Sequence, residues 1–445
     1  ADGGENPSSP INITNSIIWN NPVQQGWDQG NFNITYSCIE NGWGGAGNIS
    51  DDPLICNPYS DTFQLSNSSP CVGTGLNNEN MGGLEIGCTQ TVNTIYLDDD
   101  GSDYGSGKID DPINDIETAF DRVFNGDTIY VNAGNYNPED QIEFDKSIAV
   151  VGEDSSTTTI IIDAGMFLQS NNQNLINAQV LFKNIKFLGT GNWIHDNTFS
   201  LYNGNYEISN CIFQNIANKY TIRVGKSSLV INNSTFNCDP SSYDLVTWSG
   251  VGNNSITLNN INIIQDEFHV EMPMITDSLF MNDYSLDSKL IDIEAGYFSL
   301  TNSNLNNCQI NFNIDNLYFS DNIISNCLGE YSLIRTSNDG SCYINHSLFY
   351  GNSSNQGSYG MIQVQSPGQT LSINKSTFAN NQYNLFELQG GCEGNLSNSI
   401  IQTVGGPYGI LYFNGNSNQS FSSKYSLIDF SQGGGWGQGP TEENI

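Results

Sequence analysis

The most regular feature of the chain is a six-residue motif with large apolar residues at its first and sixth positions and usually Asn at its third. The sixth positions include Phe213, Phe236, Phe349 and Phe378. Copies return within the interval of roughly 20–50 residues that is typical of repeat architectures. Each unit is too short to bury its own apolar face, so the pattern predicts units that stack on one another. The copies begin at Phe182, Ile208, Ile231, Leu258, Leu300, Phe319, Ile344, Ile373 and Leu396.

Within each unit the periodicity is that of a strand rather than a helix. The first and sixth positions have opposite parity, so they cannot share one face of a straight strand. We expect the Asn at the third position to bend the chain, because Asn tolerates the left-handed backbone conformation. Further short strands are predicted before several motifs, at residues 221–224, 291–293, 361–364 and 385–388. Each unit is therefore two or three short strands separated by turns.

Stacking such units in register predicts an all-β fold, the right-handed parallel β-helix, with internal columns of Ile, Leu and Phe. The alternative is an antiparallel β-sandwich, which also shows turn signals at regular short spacing. A sandwich gives no reason for the same hexamer to return so often, so the pattern favours the β-helix. The long interval between Leu258 and Leu300 is expected to contain one irregular coil near residues 275–280.

Two segments resemble the ends of a known family. Residues 94–163 place an Asp/Gly-rich loop before a helix at 113–124 and then the first short strands. This order resembles the N-terminal end of the parallel β-helix repeat proteins of bacterial cell surfaces, in the pectate-lyase-like superfamily. The series YSCIENGWGGAGNISDDPLI, FQLSNSSPCVGTG and GGLEIG, within residues 36–87, resembles the C-terminal coils and cap of the same family. The resemblance implies that the helix plugs the open end of the β-helix with an apolar face that consists of Ile116, Ala119, Phe120 and Val123.

The segment that resembles a C-terminal cap therefore precedes the segment that resembles an N-terminal cap. This order suggests a domain organisation. Residues 1–88 are interpreted as the last coils and cap of a preceding β-helix unit. Residues 89–165 are the N-terminal cap and first coils of the next unit, and 166–445 are its main coils, truncated before their own cap. The segment 398–437 repeats the order of 15–45, so the chain is interpreted as a little over one period of a head-to-tail array that binds copies of itself. The alternative is one protein whose two domains share an ancestor.

The composition restricts partners and compartment. Lys and Arg number 12 against 47 Asp and Glu, a net charge of −35. Such a chain repels nucleic acid and polyanionic substrates, and it suits high-salt surroundings or divalent cations. No apolar run reaches the ~18 residues of a membrane span. We expect a secreted protein at the cell surface.

Ten Cys are present, and none lies in a CxxC motif, so zinc is not expected. Cys308 and Cys327 occupy the same position relative to successive motifs. If these coils are adjacent, the two residues stack one coil apart and could be bridged. The even number fits an oxidising compartment, and buried free thiols are the alternative.

The densest acidic loop predicts a calcium site. Carboxylate and carbonyl oxygens on a Gly-rich turn are ligands that Ca²⁺ prefers, although the spacing is not that of an EF-hand. The alternative is a solvated acidic turn. The expected ligands are Asp98, Asp99, Asp100, Asp103, Asp110 and Asp111.

The residues offer little sign of catalysis. Lyases of this fold use Arg or Lys as the base, often with Ca²⁺, and glycosidases of this fold cluster several Asp with a His and an Arg-x-Lys. The chain contains no Arg-x-Lys, and its His residues are scattered. We therefore expect a protein that is not an enzyme. The residues considered are Arg122, Arg223, Arg335, His195, His269 and His346.

Three functions remain in view. The first is a secreted structural protein, one period of an array that forms an extracellular filament, stalk or adhesin stem. The second is an adhesin that binds polysaccharide on its flat coil faces. The third is a polysaccharide lyase or glycosidase, which would require Arg223 or Arg335 to lie in a groove beside convergent carboxylates.

Overall fold

A computed structural model shows two compact units, residues 1–94 with 123–128 and residues 95–122 with 129–445, and each is described by itself. In the part of the chain that the structure describes, no helix is long and apolar enough to cross a membrane. The described residues are 11–19, 32–40, 42–51, 53–56, 63–67, 69–88, 94–144, 146–162, 168–170, 178–190, 197–216, 220–238, 244–248, 254–264, 267–272, 278–287, 289–336, 340–354, 360–382, 384–402, 411–414, 420–429 and 442–443.

The described elements are almost all short strands. The first unit contains β1 (Ile11–Thr14), β2 (Ile17–Ile18), β3 (Phe32–Thr35), β4 (Cys38–Ile39), β5 (Leu65–Ser66), the 3-10 helix Leu76–Asn78 and β6 (Ile86–Cys88). There follow β7 (Thr94–Ser102), α1 (Ile116–Arg122), β8 (Thr128–Val131), β9 (Gly134–Tyr136), β10 (Ile142–Phe144), β11 (Ile148–Gly152), β12 (Thr158–Ile162), β13 (Leu168–Ser170), β14 (Gln179–Lys183), β15 (Lys186–Gly189), β16 (Asn197–Tyr202), β17 (Asn205–Ser209), β18 (Ile212–Gln214), β19 (Tyr220–Gly225), β20 (Ser228–Asn232), β21 (Thr235–Asn237), β22 (Asp244–Trp248), β23 (Ser255–Asn259), β24 (Asn262–Ile263) and β25 (Glu267–Met272). The remaining strands are β26 (Ser278–Asn282), β27 (Ser285–Asp287), β28 (Leu290–Thr301), β29 (Asn304–Asn306), β30 (Gln309–Ser320), β31 (Ile323–Ser325), β32 (Leu328–Thr336), β33 (Cys342–Asn345), β34 (Leu348–Tyr350), β35 (Ser353–Ser354), β36 (Ile362–Val364), β37 (Thr370–Asn374), β38 (Thr377–Ala379), β39 (Phe386–Gln389), β40 (Glu393–Ser397), β41 (Ile400–Gln402), β42 (Leu411–Asn414), β43 (Ser420–Lys424), β44 (Leu427–Asp429) and β45 (Glu442–Glu443).

The coils of the second unit contribute strands to three faces, and equivalent strands of successive coils pair in parallel, except that face 3 is interrupted between β24 and β27. Ile208 pairs with Ile231, for example, and Phe213 with Phe236. Face 1 contains β10, β13, β16, β19, β22, β25, β36, β39 and β42, the first halves of β28 and β30, and the end of β32. Face 2 contains β11, β14, β17, β20, β23, β26, β33, β37, β40, β43 and the second halves of β28 and β30. Face 3 contains β9, β12, β15, β18, β21 and β24, then β27, β29, β31, β34, β38, β41 and β44.

This topology confirms the all-β parallel β-helix and excludes the antiparallel sandwich. The predicted irregular coil also exists: Met281 pairs with Leu258 on one side and with Leu300 on the other. Its motif therefore begins at Met281, a few residues later than expected.

The third motif position makes the bend between faces 2 and 3, as predicted. Asn184, Asn233 and Asn398 have φ of 57°, 47° and 51°. Where Asn is absent, other residues adopt the same conformation, among them Asp321 at 60° and His346 at 48°. A left-handed residue costs a non-Gly side chain roughly 1–2 kcal/mol, so the stacked coils on both sides must hold it in place.

The sixth motif position forms the predicted internal column. Phe213 and Phe236 are fully buried with ring centroids 4.5 Å apart and an interplanar angle of 4°. Phe349 and Phe378 repeat this arrangement at 4.8 Å and 8°. Parallel in-register strands place identical side chains directly above one another, which explains why the same apolar residue recurs.

The fourth motif position forms an internal hydrogen-bond ladder that the sequence reading missed. The Ser347 N–H donates to Ser376 Oγ of the next coil (3.2 Å), and the Ser376 N–H donates to Ser399 Oγ (3.1 Å). Each hydroxyl also donates back to a carbonyl two residues earlier, as Ser347 Oγ does to Asn345 O (2.9 Å). Ser16 N and Ser37 Oγ of the first unit make the same contact (3.2 Å). These side chains satisfy backbone groups that the bend would otherwise leave unpaired inside the protein.

The cysteines are mostly buried thiols. Cys308 and Cys327 are buried on adjacent coils as predicted, and each thiol donates to a backbone carbonyl, Cys308 Sγ to Asn306 O at 3.3 Å and Cys327 Sγ to Ser325 O at 3.2 Å. The neighbouring Cys327 thiol lowers the pKa of Cys308 to about 7, whereas Cys308 and burial raise the pKa of Cys327. Cys56 is disulfide-bonded. The described cysteines that form no disulfide are Cys38, Cys71, Cys211, Cys238, Cys308, Cys327, Cys342 and Cys392.

The predicted helix is present but shorter than expected. It begins at Ile116 because Asp115 Oδ2 caps it by accepting the Thr118 N–H at 2.9 Å. It ends at Arg122. Ile116, Ala119 and Phe120 are buried, as the apolar face predicted, and the helix contacts β10 of the first coils.

Replacing Ser347 with Ala tests the internal ladder. The Asn322 N–H, which donates to Ser347 Oγ at 3.2 Å, would lose its acceptor inside the protein. We expect the free energy of unfolding to fall by about 1–3 kcal/mol, the cost of a buried unpaired group. Denaturant unfolding followed by circular dichroism measures this change. Ser372→Ala, on the outward side of β37, is the control and should change stability by less than about 0.5 kcal/mol.

Oxidation tests the stacked thiols. Hydrogen peroxide should join Cys308 to Cys327, the two thiols losing two electrons and two protons while peroxide is reduced to water. The reaction should speed up as the pH rises through about 7, because the Cys308 thiolate is the nucleophile. Cys211, whose pKa burial raises to about 12, should stay reduced and is the internal control. Peptide mapping by mass spectrometry that finds Cys308 and Cys327 unlinked across this pH range would contradict the pairing.

Candidate functional site

Two short coils in the described part of the β-helix carry faces 1 and 2 on single strands. Strands β28 and β30 run for 12 residues each, without interruption, from face 1 to face 2. Residues on them pair across a spacing of 19, as Asn311 and Asp292 do, whereas Asn345 and Asn374 of a longer coil are 29 apart. The two faces are therefore joined directly at β28 and β30.

Two carboxylates point outward from face 1 at this place. Asp292 and Glu294 alternate along β28 with the buried Ile291 and Ile293, so both lie on the outer side. Residues two apart on a strand are separated by roughly 6.6 Å. The apolar residues at every second position must face the core, so the residues between them face outward. This two-residue period sets the spacing of Asp292 and Glu294.

Asp292 is held by residues on both neighbouring coils. Asn311 Nδ2 donates to Asp292 Oδ1 at 3.0 Å from the following coil. His269 Nε2 lies 3.8 Å from Asp292 Oδ2, on the preceding coil. An amide donor and an imidazole that can carry charge both favour the ionised carboxylate.

A guanidinium lies in the same outward column as Glu294. Glu294 pairs with Asn313, and Asn313 pairs with Arg335 of β32, so Arg335 is two coils or roughly 10 Å away. Arg335 Nε donates to Gln365 Oε1 at 2.8 Å. Arg223 occupies this column too, but on β19, several coils in the other direction. The two Arg thus share a face, and Arg335 is the one near the fixed Asp292–Asn311 pair.

A further carboxylate on face 1 is already used by the fold. Glu387 is fully buried and accepts hydrogen bonds from Gly360 N (2.9 Å), Gln363 Nε2 (3.0 Å) and Gln389 Nε2 (2.8 Å). Its role is to anchor the chain that enters β36. Asp292 and Glu294 lie on the outer side of β28, so this pair is the better candidate for chemistry.

Sequence reasoning missed this site because its members come from different coils. His269, Asp292, Asn311 and Arg335 belong to the strands before the hexamer, whose repeat is weaker than that of the hexamer itself. The signal that could have found them is the pair Asp292-x-Glu294 on an alternating strand, combined with the 19-residue spacing to Asn311-x-Asn313.

The predicted calcium ligands of β7 are engaged by the protein itself. Asp98 accepts Asn132 Nδ2 at 2.7 Å and the Asp100 N–H at 3.1 Å. Asp99 Oδ2 accepts the Asn135 N–H at 2.9 Å. These bonds tie the end of β7 to the chain around β9.

The other predicted ligands stabilise the loop after β7. Asp103 Oδ1 accepts Asn114 Nδ2 at 2.6 Å, and Asp111 Oδ2 accepts the Ser106 N–H at 2.9 Å. The Ser106 N–H holds the pKa of Asp111 below its usual value. Asp110, the sixth predicted ligand, is exposed.

Within the described ranges, no three side chains of His, Cys, Asp or Glu converge where they could hold a metal ion. Calcium binding by this loop stays a prediction.

The remaining sequence candidates lie apart from the acidic pair. His346 Nδ1 contacts Asp321 Oδ1, and both residues are exposed on the bend between faces 2 and 3. Hydrogen bonds from Ser320 and then His346 hold the pKa of Asp321 below its usual value. Arg122 donates to the Gly105 carbonyl and fastens the helix to the cap loop. His195 lies outside the described residues.

Comparison with known proteins gives a short sequence match and several distant structural ones. No family model matches the chain. It is 43% identical over 53 residues to the pectate lyase PEL9 of Emericella nidulans, a segment of 12% of this chain and 13% of that protein.

Among solved structures, the catalytic unit of the GH87 alpha-1,3-glucanase from Streptomyces thermodiastaticus strain HF3-3 matches with a TM-score of 0.44 and 10% identity. The match covers 74% of this chain and 66% of that one. The surface adhesin PfbA of Streptococcus pneumoniae matches with a TM-score of 0.37 and 11% identity, over 70% of this chain and 86% of that one.

These comparisons correct one expectation. The expectation that the chain is not an enzyme is contradicted, because the sequence relative is a pectate lyase. That expectation rests on single residues along the sequence. Stacking places Arg335 in the outward column of Glu294, two coils away, although the two residues are 41 apart in the sequence.

The fold expectation is confirmed. The parallel pairing of successive coils, the three faces and the left-handed bend between faces 2 and 3 are all present. The chain is a parallel β-helix, and a short segment of it is similar to a pectate lyase.

Proposed function

We propose that the chain is an extracellular carbohydrate-active protein that binds a neutral polysaccharide on face 1 and hydrolyses it. The observation that carries the proposal is the outward pair Asp292 and Glu294, with His269 and Asn311 beside Asp292 and Arg335 in the column of Glu294. The relative named as a pectate lyase supports carbohydrate chemistry as the class.

The spacing of the two carboxylates favours hydrolysis with inversion. Inverting glycosidases separate their carboxyl groups by roughly 6.5–9.5 Å, which leaves room for a water molecule, and retaining ones by about 5–5.5 Å. Residues two apart on one strand fall at the lower edge of the first range. Asp292, whose carboxylate Asn311 and His269 contact, would take a proton from a water molecule whose oxygen bonds to the anomeric carbon as the glycosidic C–O bond breaks. Glu294 would give its proton to the departing oxygen.

The charge of the protein favours a neutral substrate. A net charge of −35 repels acidic polymers, which lyases of the pectate type cleave. Arg335 could still serve as the base of an elimination, so a lyase is an outcome that the experiment must distinguish.

An extracellular location is part of the proposal. The disulfide at Cys56 is a bond that forms in oxidising compartments. Low Lys and Arg content and the many Asn, Ser and Gly residues agree with this location.

Cleavage assays with substitutions at the acidic pair test the function. The wild-type protein is incubated with soluble α- and β-glucans and with polygalacturonate, and new reducing ends are measured. We expect release from a neutral glucan, and a loss of about 100-fold or more in Asp292→Asn and in Glu294→Gln, since each removes a proton-transfer group. Glu393→Gln, which changes an exposed carboxylate on face 2, is the matched control and should keep full activity.

The outcomes separate the alternatives. An unsaturated product that absorbs in the ultraviolet, formed from polygalacturonate, would identify a lyase instead. If the wild-type protein releases no reducing ends from any of these polymers, or the acidic-pair variants match the wild type, hydrolysis at this site is wrong. Thermal unfolding of each variant checks that lost activity does not reflect lost folding.

A head-to-tail array is the second candidate, and one observation favours it. Tyr36 of the first unit and Tyr425 near the end of the second have φ of 48° and 52°, each followed by a buried Ser of the internal ladder. The first unit thus repeats the local geometry of the last described coils. Such an array would present the proposed site many times along an extracellular filament or stem.

A further inference from the structure

A shallow pocket on face 2 is lined mainly by tyrosines. It has a volume of about 440 Å³, and its lining residues are Tyr297, Asn316, Leu317, Tyr318 and Tyr343. These residues come from three consecutive coils, because Tyr297 pairs with Asn316 and Tyr318 pairs with Tyr343. We call this set the tyrosine shelf.

The rings of the shelf are partly open to solvent. Tyr318 is 38% exposed and Tyr343 is 47% exposed. Tyr297 is more covered, with Phe280 of the preceding coil 5.6 Å from its ring centroid, and burial raises the pKa of its hydroxyl. Partly exposed aromatic rings beside a concave surface are a lining that ligand sites use.

The shelf combines flat apolar surfaces with a few polar groups. Asn316 Oδ1 accepts the Ser341 N–H at 3.1 Å, which fixes the side chain and leaves its NH₂ group as a donor for a ligand. The tyrosine hydroxyls can donate and accept hydrogen bonds. No cation lines the pocket. This chemistry fits a ligand with an apolar face and a rim of hydroxyl groups, and it disfavours an anion.

The geometry points to a second carbohydrate site at the tyrosine shelf, where the pyranose rings of a neutral polysaccharide stack on Tyr318 and Tyr343. The inference rests on the proposed function for its ligand class. The two tyrosines are one coil apart, about 4.8 Å, which is close to the length of one sugar residue in an extended chain. Neighbouring sugars of one polymer thus meet neighbouring rings.

The shelf is physically connected to the acidic pair. Tyr297 follows Glu294 by three residues on the uninterrupted strand β28, and Tyr318 lies on β30 with Asn311 and Asn313. A polymer held at the shelf is therefore kept close to the proposed site of cleavage. We expect the shelf to raise the affinity for long polymers more than for short oligosaccharides.

Binding to a catalytically silenced protein tests the shelf. In the Glu294→Gln background, binding of cellohexaose and maltohexaose is measured by isothermal titration calorimetry. Adding Tyr318→Ala or Tyr343→Ala should weaken binding of the recognised oligosaccharide about tenfold or more, since a stacking ring and its buried area are lost. Tyr318→Phe should keep most of the affinity, because the ring remains. Tyr350→Ala, an exposed tyrosine on face 3, is the matched control and should bind normally.

The results separate the shelf from the proposed function. Tyrosine-dependent binding without any cleavage by the wild-type protein would support the shelf and reject hydrolysis. Cleavage with binding that Tyr318→Ala and Tyr343→Ala leave unchanged would reject the shelf and keep hydrolysis. Absence of binding by either hexasaccharide also rejects the shelf. Self-association would reject the carbohydrate site too, if analytical ultracentrifugation detects it in the parent protein and Tyr318→Ala abolishes it. The shelf would then bind a second copy of the chain.

Discussion

The left-handed residue at the third motif position is the constraint on which the remaining structure depends. It turns the chain from face 2 to face 3 in a single residue, so the first and sixth positions both point into the core despite their opposite parity. The turn places the fourth residue inside, where its N–H has no partner on its own coil. The Ser and Asn side chains of the following coil supply that partner, as Asn322 Oδ1 does for Ser303 N (3.0 Å). A bend, an apolar column and a polar ladder thus arise together in each coil.

The parts of the fold that repeat within one hexamer were predictable from the sequence. Asn233 at a bend and Phe236 in the core follow from parity and from the tolerance of Asn for positive φ. The burial of Ser347 was not predictable, because Ser is usually exposed. Its hydroxyl accepts the Asn322 N–H, a donor that only the stacked neighbouring coil supplies. The acidic pair was missed for another reason. Asp292 and Asn311 are 19 residues apart and become neighbours only because one coil has that length. The hexamer pattern predicts where the bends lie, but it does not predict which polar side chains meet between them.

Charge and polarity are distributed differently inside and outside the β-helix. Buried polar groups such as Asn352 and Asn381 are bonded to carbonyls of adjacent coils, with Asn381 Nδ2 donating to Phe349 O at 2.9 Å. Exposed acids such as Asp287 accept amide donors from the neighbouring coil, here Asn306 at 3.0 Å. Many Asp and Asn are therefore needed for stacking itself. The high acidic content of such a chain therefore indicates only in part which ligands it binds.

The lengths of the coils carry a consequence for insertions. A coil with loops absorbs an added residue at the surface, where backbone groups can reach water. The 19-residue coils around β28 and β30 lack that freedom, because faces 1 and 2 lie on one continuous strand, which alternates inward and outward on face 1 and has two successive buried residues at the bend. One added residue before Ile291 would shift this alternation, driving Asp292 and Glu294 into the apolar core and exposing Ile291 and Ile293. A change of one residue in the length of such a coil would thus displace the acidic pair and the apolar column together.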